Sequence, residues 1–198
     1  ENKLYAKRSK CEFAKTSVEY LGHIISDQGF SMEEDKIKSI QNWPRPTCKR
    51  DVQSFLGLVN FYRRFIRNCS QISRPLTKIT GNVPFNWTNY EQNAFDKLRK
   101  AVTSAPVIRA FDPEFSPCVT TDASGYAIGA VLEQTDSESR RPVALFSRTM
   151  SPAEQNYHPQ EQELLAIVEA LRHWRAYLHG RPFIVNTDHE SLKYLQTH

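Results

Sequence analysis

Two aspartates follow similar segments rich in β-branched residues. Asp122 comes directly after Val119–Thr121, and Asp188 comes directly after Ile184–Thr187. Functional acids in α/β folds often lie where a strand ends and a loop begins. If the two strands are parallel neighbours, both carboxylates project at the same edge of the sheet, and a hard divalent cation would hold these mutually repelling acids ionised. The alternative is that both are ordinary turn or cap residues after strands.

A third acid is expected at the start of a long helix, which the pattern predicts from about Pro159 to Leu178. Glu161 and Glu163 are both candidates. The apolar stripe that sets the expected buried face consists of Leu164, Ile167, Val168, Leu171, Trp174 and Leu178. At about 100° per residue, each glutamate lies roughly 80° from the centre of this stripe, on opposite flanks. The helix geometry therefore does not choose between them, and either could simply be a favourable acid in a first helical turn.

The ligand types available favour magnesium or manganese over zinc. The four cysteines, Cys11, Cys48, Cys69 and Cys118, are widely separated and form no C-x-x-C pair. A structural zinc site or a disulfide framework is therefore not expected. All-oxygen ligation by carboxylates suits Mg²⁺ or Mn²⁺.

The elements that must position these acids form a mixed α/β layer. Beyond residue 116 the pattern predicts strands over 117–121, 127–134, 143–147 and 183–187. The long helix falls between the third and fourth strands, and another helix is expected to open at Glu190. This order contains one βαβ crossover.

The preceding part of the chain is predicted to be mainly helical. Val18–Ile25 is expected to form part of a hairpin, with turn residues at 27–29. Ser31 and Glu34 have capping-box spacing before a helix that should reach about Trp43. Further helices are predicted over 49–66, 73–79 and, after a second capping box formed by Thr88 and Glu91, to about 104.

Charge is unevenly divided along the chain. Residues 1–80 hold 15 Lys/Arg and 8 Asp/Glu, a net charge of +7, whereas the remainder has a net charge of −3. Arg63, Arg64 and Arg67, near the end of the helix predicted over 49–66, could meet phosphates, or they could be a solvated helix end. Phe61, Tyr62 and Phe65 are predicted to be core residues. No apolar run is long enough to span a membrane and no signal segment is visible, so an intracellular protein is expected.

Several motifs occur in a characteristic order. Glu19–Ile25 follows Lys10–Phe13, and Ser54–Ile66 reads SFLGLVNFYRRFI. The segments Pro75-Leu76-Thr77 and Phe85-Asn86-Trp87 come next, followed by Thr121-Asp122-Ala123-Ser124, Glu163–Ile167 and Thr187-Asp188-His189. In this order and at these spacings they resemble the pol polyprotein of gypsy-type LTR retrotransposons and, more distantly, retroviral reverse transcriptase.

The resemblance implies a reverse transcriptase primer-grip hairpin and thumb over residues 1–80, a connecting helix and linker over 81–115, and a C-terminally incomplete ribonuclease H-like domain over 116–198. It implies that Tyr20, Leu21 and Gly22, together with Arg63, Arg64 and Arg67, contact primer–template duplex.

For the nuclease, the resemblance favours Glu163 over Glu161. It implies that Asp122, Glu163 and Asp188 hold two Mg²⁺ ions, with Asp122 bridging them, for hydrolysis of the RNA strand of an RNA–DNA hybrid. The rest of the pol polyprotein is the implied partner.

Two departures from the family pattern limit what is expected of the chain alone. No Asp-Asp pair is present, so the polymerase palm motif is missing, and a fourth nuclease acid would lie beyond His198. We therefore expect no polymerisation and weak or no cleavage from this chain by itself. The competing interpretation is a non-catalytic, connection-like or domesticated module that binds nucleic acid or a protein partner.

Overall fold

The structure, a computed structural model, describes residues 7, 11, 13–135 and 139–188. It has a mixed α/β fold, as predicted. The helix expected to open at Glu190 and most of the motif Lys10–Phe13 lie outside the described residues.

The chain first forms a small antiparallel sheet of three strands: β1 (Ser17–Tyr20), β2 (His23–Ser26) and β3 (Gly29–Met32). The turn predicted at 27–29 joins β2 and β3, but the segment 18–25 is not continuous, because a second tight turn at Leu21 and Gly22 divides it into β1 and β2. The predicted cap at Ser31 is wrong, because Ser31 pairs with Ile24 in the β2–β3 ladder. Glu33 becomes the N-cap of the following helix and makes no side-chain capping bond. Here pairing between strands outweighs a local capping signal.

Four helices follow, namely α1 (Glu34–Gln41), α2 (Lys49–Phe61), α3 (Cys69–Thr80) and α4 (Asn89–Thr103). Helix α2 is shorter than predicted, because the chain turns at Tyr62 into a 3₁₀ helix (Arg63–Phe65). The predicted capping box of α4 is confirmed, since the side chain of Glu91 accepts a hydrogen bond from the backbone N–H of Thr88 at 2.9 Å.

Strands β1–β3 and helices α1–α4 are called the helical region below. Strand β3 and the four helices contribute to one apolar core, whereas every residue of β1 is exposed. The largest fully buried side chains of this core are Phe55, Tyr62, Phe65, Phe95, Ile40, Ile66, Leu76 and Leu98. Tyr62 and Phe65 are therefore core residues, as predicted. Phe61 is not, because 52% of it is exposed.

The rest of the chain, called the sheet region below, is built on four strands: β4 (Pro117–Ser124), β5 (Ala127–Thr135), β6 (Arg140–Thr149) and β7 (Ile184–Asn186). Their order in the sheet is β6-β5-β4-β7. Strands β4, β5 and β6 pair antiparallel, whereas β7 pairs parallel to β4. This is the mixed sheet with a βαβ crossover that the sequence predicts.

The crossover is made by α5 (Pro159–His173) and the short helix α6 (Arg175–Leu178). The predicted single helix is interrupted at Trp174, which is the C-cap of α5 and is only 2% exposed. Trp174 and Leu178 pack with Val119 and Leu132 of the sheet.

The two regions are in direct contact. Phe30 of β3 exchanges two backbone hydrogen bonds with Ile108 of the linker, and Arg109 donates its backbone N–H to the carbonyl of Pro142 in β6. The beginning of α3 is held against β6 by Ser70, whose backbone N–H donates to Ser147 Oγ at 3.1 Å. The guanidinium of Arg74 lies 3.8 Å from the ring centre of Tyr126.

Candidate metal-binding active site

Asp122 and Asp188 lie at the same edge of the sheet. The parallel β4–β7 ladder pairs Thr120 with Asn186, and each aspartate comes two residues later in its chain. Because the two strands run in the same direction, this register brings the two carboxylates close together. The expected pairing of the two acids is thus observed, but β4 extends past its predicted end to Ser124, so Asp122 lies within the strand, whereas Asp188 follows β7.

Glu163 reaches the two aspartates from the first turns of α5. The buried face of this helix carries Glu163, Ala166, Ala170 and Trp174, which recur at helical spacing. The predicted aliphatic stripe is therefore wrong about the centre of the buried face, since Leu164 is 38% exposed. Small alanines face the sheet, because a helix packed close to a sheet leaves little room for longer side chains.

Helix geometry does distinguish the two candidate glutamates once the true buried face is known. Glu163 is 8% exposed and points towards the aspartates. Glu161 is exposed, and its carboxylate accepts a hydrogen bond from the backbone N–H of His158 at 2.8 Å. Glu161 is thus a cap of α5 and Glu163 belongs to the acid cluster.

The three acids converge. One carboxylate oxygen from each of Asp122, Glu163 and Asp188 lies within 4.8 Å of the others. Glu163 Oε1 accepts the backbone N–H of Ala123 at 3.1 Å, while its Oε2 is buried without a hydrogen-bond partner. A buried carboxylate oxygen without a partner is costly unless a cation or a proton satisfies it.

The pKa of Glu163 also indicates that this carboxylate needs a cation or a proton. Burial above all, and then the negative charges of Asp188 and Asp122, raise the pKa of Glu163 to about 7, although the Ala123 hydrogen bond opposes the shift. A bound divalent cation would relieve both the burial and the repulsion. The all-oxygen donor set and the unpartnered oxygen therefore fit Mg²⁺ or Mn²⁺.

A fourth side chain at this site was not anticipated from the sequence. Asn68 of the helical region donates its Nδ2 to Asp122 Oδ2 at 2.9 Å. The 54 residues that separate them carry no pattern that predicts this contact. The only local signal is that Asn tolerates the left-handed backbone conformation better than most residues, and Asn68 adopts it with φ 52°.

The three arginines proposed to contact nucleic acid do not form one group. All three lie beyond the end of α2 and are exposed. Arg63 turns towards the sheet region, where its Nη2 donates to the Ser147 carbonyl at 2.6 Å and to Ser70 Oγ at 3.0 Å.

Tyr20, Leu21 and Gly22 form the tip of the β1–β2 hairpin. Leu21 (φ 50°) and Gly22 (φ 79°) both have positive φ, as the tight turn between antiparallel strands requires. The Tyr62 hydroxyl donates to the Gly22 carbonyl at 3.0 Å and fixes this turn on the helical core. Tyr20 and Leu21 are 61% and 71% exposed, so two apolar side chains stand out from a rigid tip.

The sequence is similar to those of known reverse transcriptase domains and transposon polyproteins. Residues 87–185 match the model of the RNase H-like domain found in reverse transcriptase. The Tf2-3 and Tf2-4 transposon polyproteins of Schizosaccharomyces pombe are each 37% identical to the chain over 193 residues. This match covers 96% of the chain and 14% of each polyprotein, so the chain spans only a small part of these relatives.

Solved structures of reverse transcriptases are similar as well. A foamy viral protease–reverse transcriptase dRH in complex with double-stranded DNA matches with a TM-score of 0.76 and 26% identity, covering 93% of this chain and 33% of that one. A foamy viral protease–reverse transcriptase in complex with an RNA/DNA hybrid matches in fold with a TM-score of 0.74 and 24% identity, covering 95% of this chain and 26% of that one.

The chain therefore belongs to the family of RNase H-like domains found in reverse transcriptases. The resemblance to retrotransposon polyproteins inferred from the motifs is confirmed. Within the described part of the chain, no helix has the length and apolarity needed to cross a membrane.

Proposed function

We propose that the chain supplies a Mg²⁺-dependent nuclease site that hydrolyses the RNA strand of RNA–DNA hybrids within a larger reverse transcriptase. The observation that carries the proposal is the convergence of three carboxylates, one of which, Glu163, has a buried oxygen without a hydrogen-bond partner. Asp122, Glu163 and Asp188 would hold the two ions of such a site. Bound magnesium supplies an activated water and stabilises the leaving oxygen.

The protein's own groups prepare this site before any ion binds. The Ala123 N–H holds one oxygen of Glu163 and the Asn68 amide holds one oxygen of Asp122, which leaves oxygens of both acids free for ligation. Burial of Glu163 excludes water from one side of the cluster. Choice of the hybrid would rest on the 2′-hydroxyl and on groove shape.

In the larger enzyme the helical region would hold the primer–template duplex. The exposed Tyr20 and Leu21 at the hairpin tip and the exposed Arg64 and Arg67 favour this second role. Contacts of this kind are made to the nucleic-acid backbone and give binding without sequence preference. Copying RNA into DNA is proposed for the larger protein and not for this chain.

Cleavage of a 5′-labelled RNA in an RNA–DNA hybrid tests the nuclease proposal. The assay uses this chain and a longer version that includes the downstream sequence, each with Mg²⁺ or with EDTA. Mg²⁺-dependent cleavage by the longer version, with much weaker cleavage by this chain, is expected. Asp122→Asn keeps the side-chain shape but removes the charge, and should abolish most cleavage.

The matched pair Glu163→Gln and Glu161→Gln sharpens this test. Glu163→Gln should remove most cleavage, whereas Glu161→Gln should only weaken the N-terminal cap of α5. Equal losses in the two variants would contradict the assignment of Glu163. Full cleavage by Asp122→Asn would leave a non-catalytic binding module as the better account.

A further inference from the structure

Asn68 is an N-cap residue whose side chain does not cap its helix. Asn at this position usually accepts a hydrogen bond from a backbone N–H of the first turn. In α3 no such side-chain bond exists, and the N-cap backbone is left-handed with φ 52° rather than extended. Instead, the side-chain Nδ2–H of Asn68 donates a hydrogen bond to Asp122 Oδ2.

The surrounding contacts hold Asn68 in this orientation. Two residues later, Ser70 is bound to Ser147 through its backbone N–H and its hydroxyl, at 3.1 and 3.2 Å. Arg63 binds the carbonyl of the same Ser147 at 2.6 Å. The start of α3 is thus anchored to β6 on both sides of Asn68.

The sheet also leaves space for the Asn68 side chain. Gly129 pairs with Asp122 across the β4–β5 ladder. A Cβ at position 129 would overlap Asn68 Oδ1, at a separation closer than any real contact allows. Only glycine at position 129 therefore permits Asn68 to reach Asp122 without a shift.

From this arrangement we infer that Asn68 is a positioning residue that fixes the Asp122 carboxylate for metal binding. The terminal torsion of an aspartate is soft, so a carboxylate without a fixed partner samples many orientations. A donor held on Oδ2 selects one of these orientations, in which the carboxylate lies within 4.8 Å of Glu163 and Asp188. The helical region would in this way contribute to the metal site of the sheet region, and the inference rests on the proposed metal site.

The test measures metal affinity rather than cleavage. Mn²⁺ binding to the 198-residue chain is followed by calorimetry and by the loss of free-ion electron paramagnetic resonance signal. Asn68→Ala removes the donor, and Asn68→Gly removes it while relieving the left-handed backbone. Both should weaken Mn²⁺ binding by about 10-fold or more, the range found when groups that orient metal ligands are lost. Unchanged affinity in both variants would overturn the inference.

Gly129→Ala provides an independent perturbation of the same contact. It keeps Asn68 but pushes its side chain away, so Mn²⁺ binding should weaken by a similar factor. In the double variant Asn68→Ala/Gly129→Ala the clash is absent, and the two losses should not add. Fully additive losses would indicate separate packing effects and contradict the inference.

Two controls separate positioning from interface packing. Arg74→Ala removes the stacking on Tyr126 at the same interface, and Asn60→Ala replaces an exposed asparagine of α2. Arg74→Ala should lower the melting temperature while leaving Mn²⁺ affinity intact, and Asn60→Ala should leave both unchanged. A loss of affinity in Arg74→Ala equal to that in Asn68→Ala would assign the effect to packing.

Failure of the wider proposal would look different. If the unmodified chain bound no Mn²⁺ and Asp122→Asn changed nothing, the metal site itself, and with it the role of Asn68, would be refuted. Mn²⁺ binding that requires Asp122 but is indifferent to Asn68 and Gly129 would overturn only the positioning role.

Discussion

The sheet region and the helical region use their charged side chains differently. In the sheet region three acids from β4, α5 and the end of β7 point to one place, with one oxygen from each within 4.8 Å of the others. In the helical region all three arginines are exposed, but Arg63 differs from Arg64 and Arg67 because its guanidinium binds Ser147 in β6. An acid site is defined by convergence, whereas a duplex-binding surface needs only exposed charge along a backbone.

The two regions also differ in what holds their side chains. Glu163 and Asp122 each have one oxygen fixed by an N–H donor. At the hairpin tip the backbone is fixed by Tyr62, but the side chains of Tyr20 and Leu21 are free of the core. Substitutions should therefore affect chemistry in one region and affinity in the other.

The strongest test of this division is Asp188→Asn. Cleavage of a hybrid by the longer version of the chain should fall by about 100-fold or more, since even groups that only orient metal ligands cost 10–100-fold. Affinity for duplex should change far less than cleavage does, because the proposed duplex contacts lie in the helical region. A cleavage assay and fluorescence anisotropy measure the two quantities. If cleavage and duplex affinity fell by the same factor, the assignment of chemistry to one region and duplex binding to the other would be contradicted.

The next largest effect concerns the stability of the metal-free chain. The pKa of Glu163 is about 7 in the fold, above its ordinary value of 4.5, so the fold favours the protonated carboxyl. Ionisation of Glu163 therefore destabilises the folded chain. This destabilisation is absent below pH 4.5, grows between pH 4.5 and 7, and is complete above pH 7. Glu163→Gln should therefore stabilise the metal-free chain at about pH 8 by about 1–3 kcal/mol and have little effect at about pH 4.

Denaturant unfolding in EDTA at the two pH values measures this difference, with Glu161→Gln as the control. That control removes a cap from α5 and should be destabilising at the higher pH. If Glu163→Gln destabilised the chain there as well, the acid cluster would not be a source of repulsion in the fold.

A smaller effect distinguishes the arginines. Arg64→Ala and Arg67→Ala should each reduce the slope of log affinity for duplex against log salt by up to about 0.9, the value for one phosphate contact. Arg63→Ala should instead lower the melting temperature, because it removes two hydrogen bonds at the interface with Ser147 and Ser70. Anisotropy titrations at several salt concentrations supply the slopes, and an equal slope change in all three variants would argue for one common phosphate-binding group.

The smallest expected effect lies far from both sites. Thr88→Ala removes the side chain that accepts the backbone N–H of Tyr90 at 3.2 Å and should cost about 1 kcal/mol of unfolding free energy. Neither hybrid cleavage nor the salt slope should change. A change in cleavage would mean that the end of α4 is coupled to the metal site.

Local patterns in the sequence were sufficient for much of this architecture. The proximity of Asp122 and Asp188 could be predicted because the strand patterns and the β4–α5–β7 order are encoded by neighbouring residues, although β4 continues two residues beyond Asp122. The cap at Thr88 could be predicted for the same reason, since Thr88 and Glu91 are three residues apart. The order of the motifs was also enough to indicate the family, because each motif is a short run of adjacent residues.

Other features were decided only by tertiary structure. The aliphatic residues of α5 suggested the wrong buried face. The motif resemblance already favoured Glu163 over Glu161, but the physical reason, the packing of Ala166 and Ala170 on the sheet, is visible only in the fold. Ser31 lost its capping role because β3 formed a ladder with β2. Phe61 remained outside the core because the chain turned after α2.

The contact between Asn68 and Asp122 depends entirely on the tertiary structure. The sequence determined that an asparagine able to adopt a left-handed backbone stands before α3 and that a glycine stands at position 129. It could not determine that docking of α3 on β6 would bring these residues together across 54 positions of chain. Hydrophobic periodicity and helix-capping patterns depend on residues that are close in the sequence. A contact between two packed regions depends on the shapes of both surfaces at once.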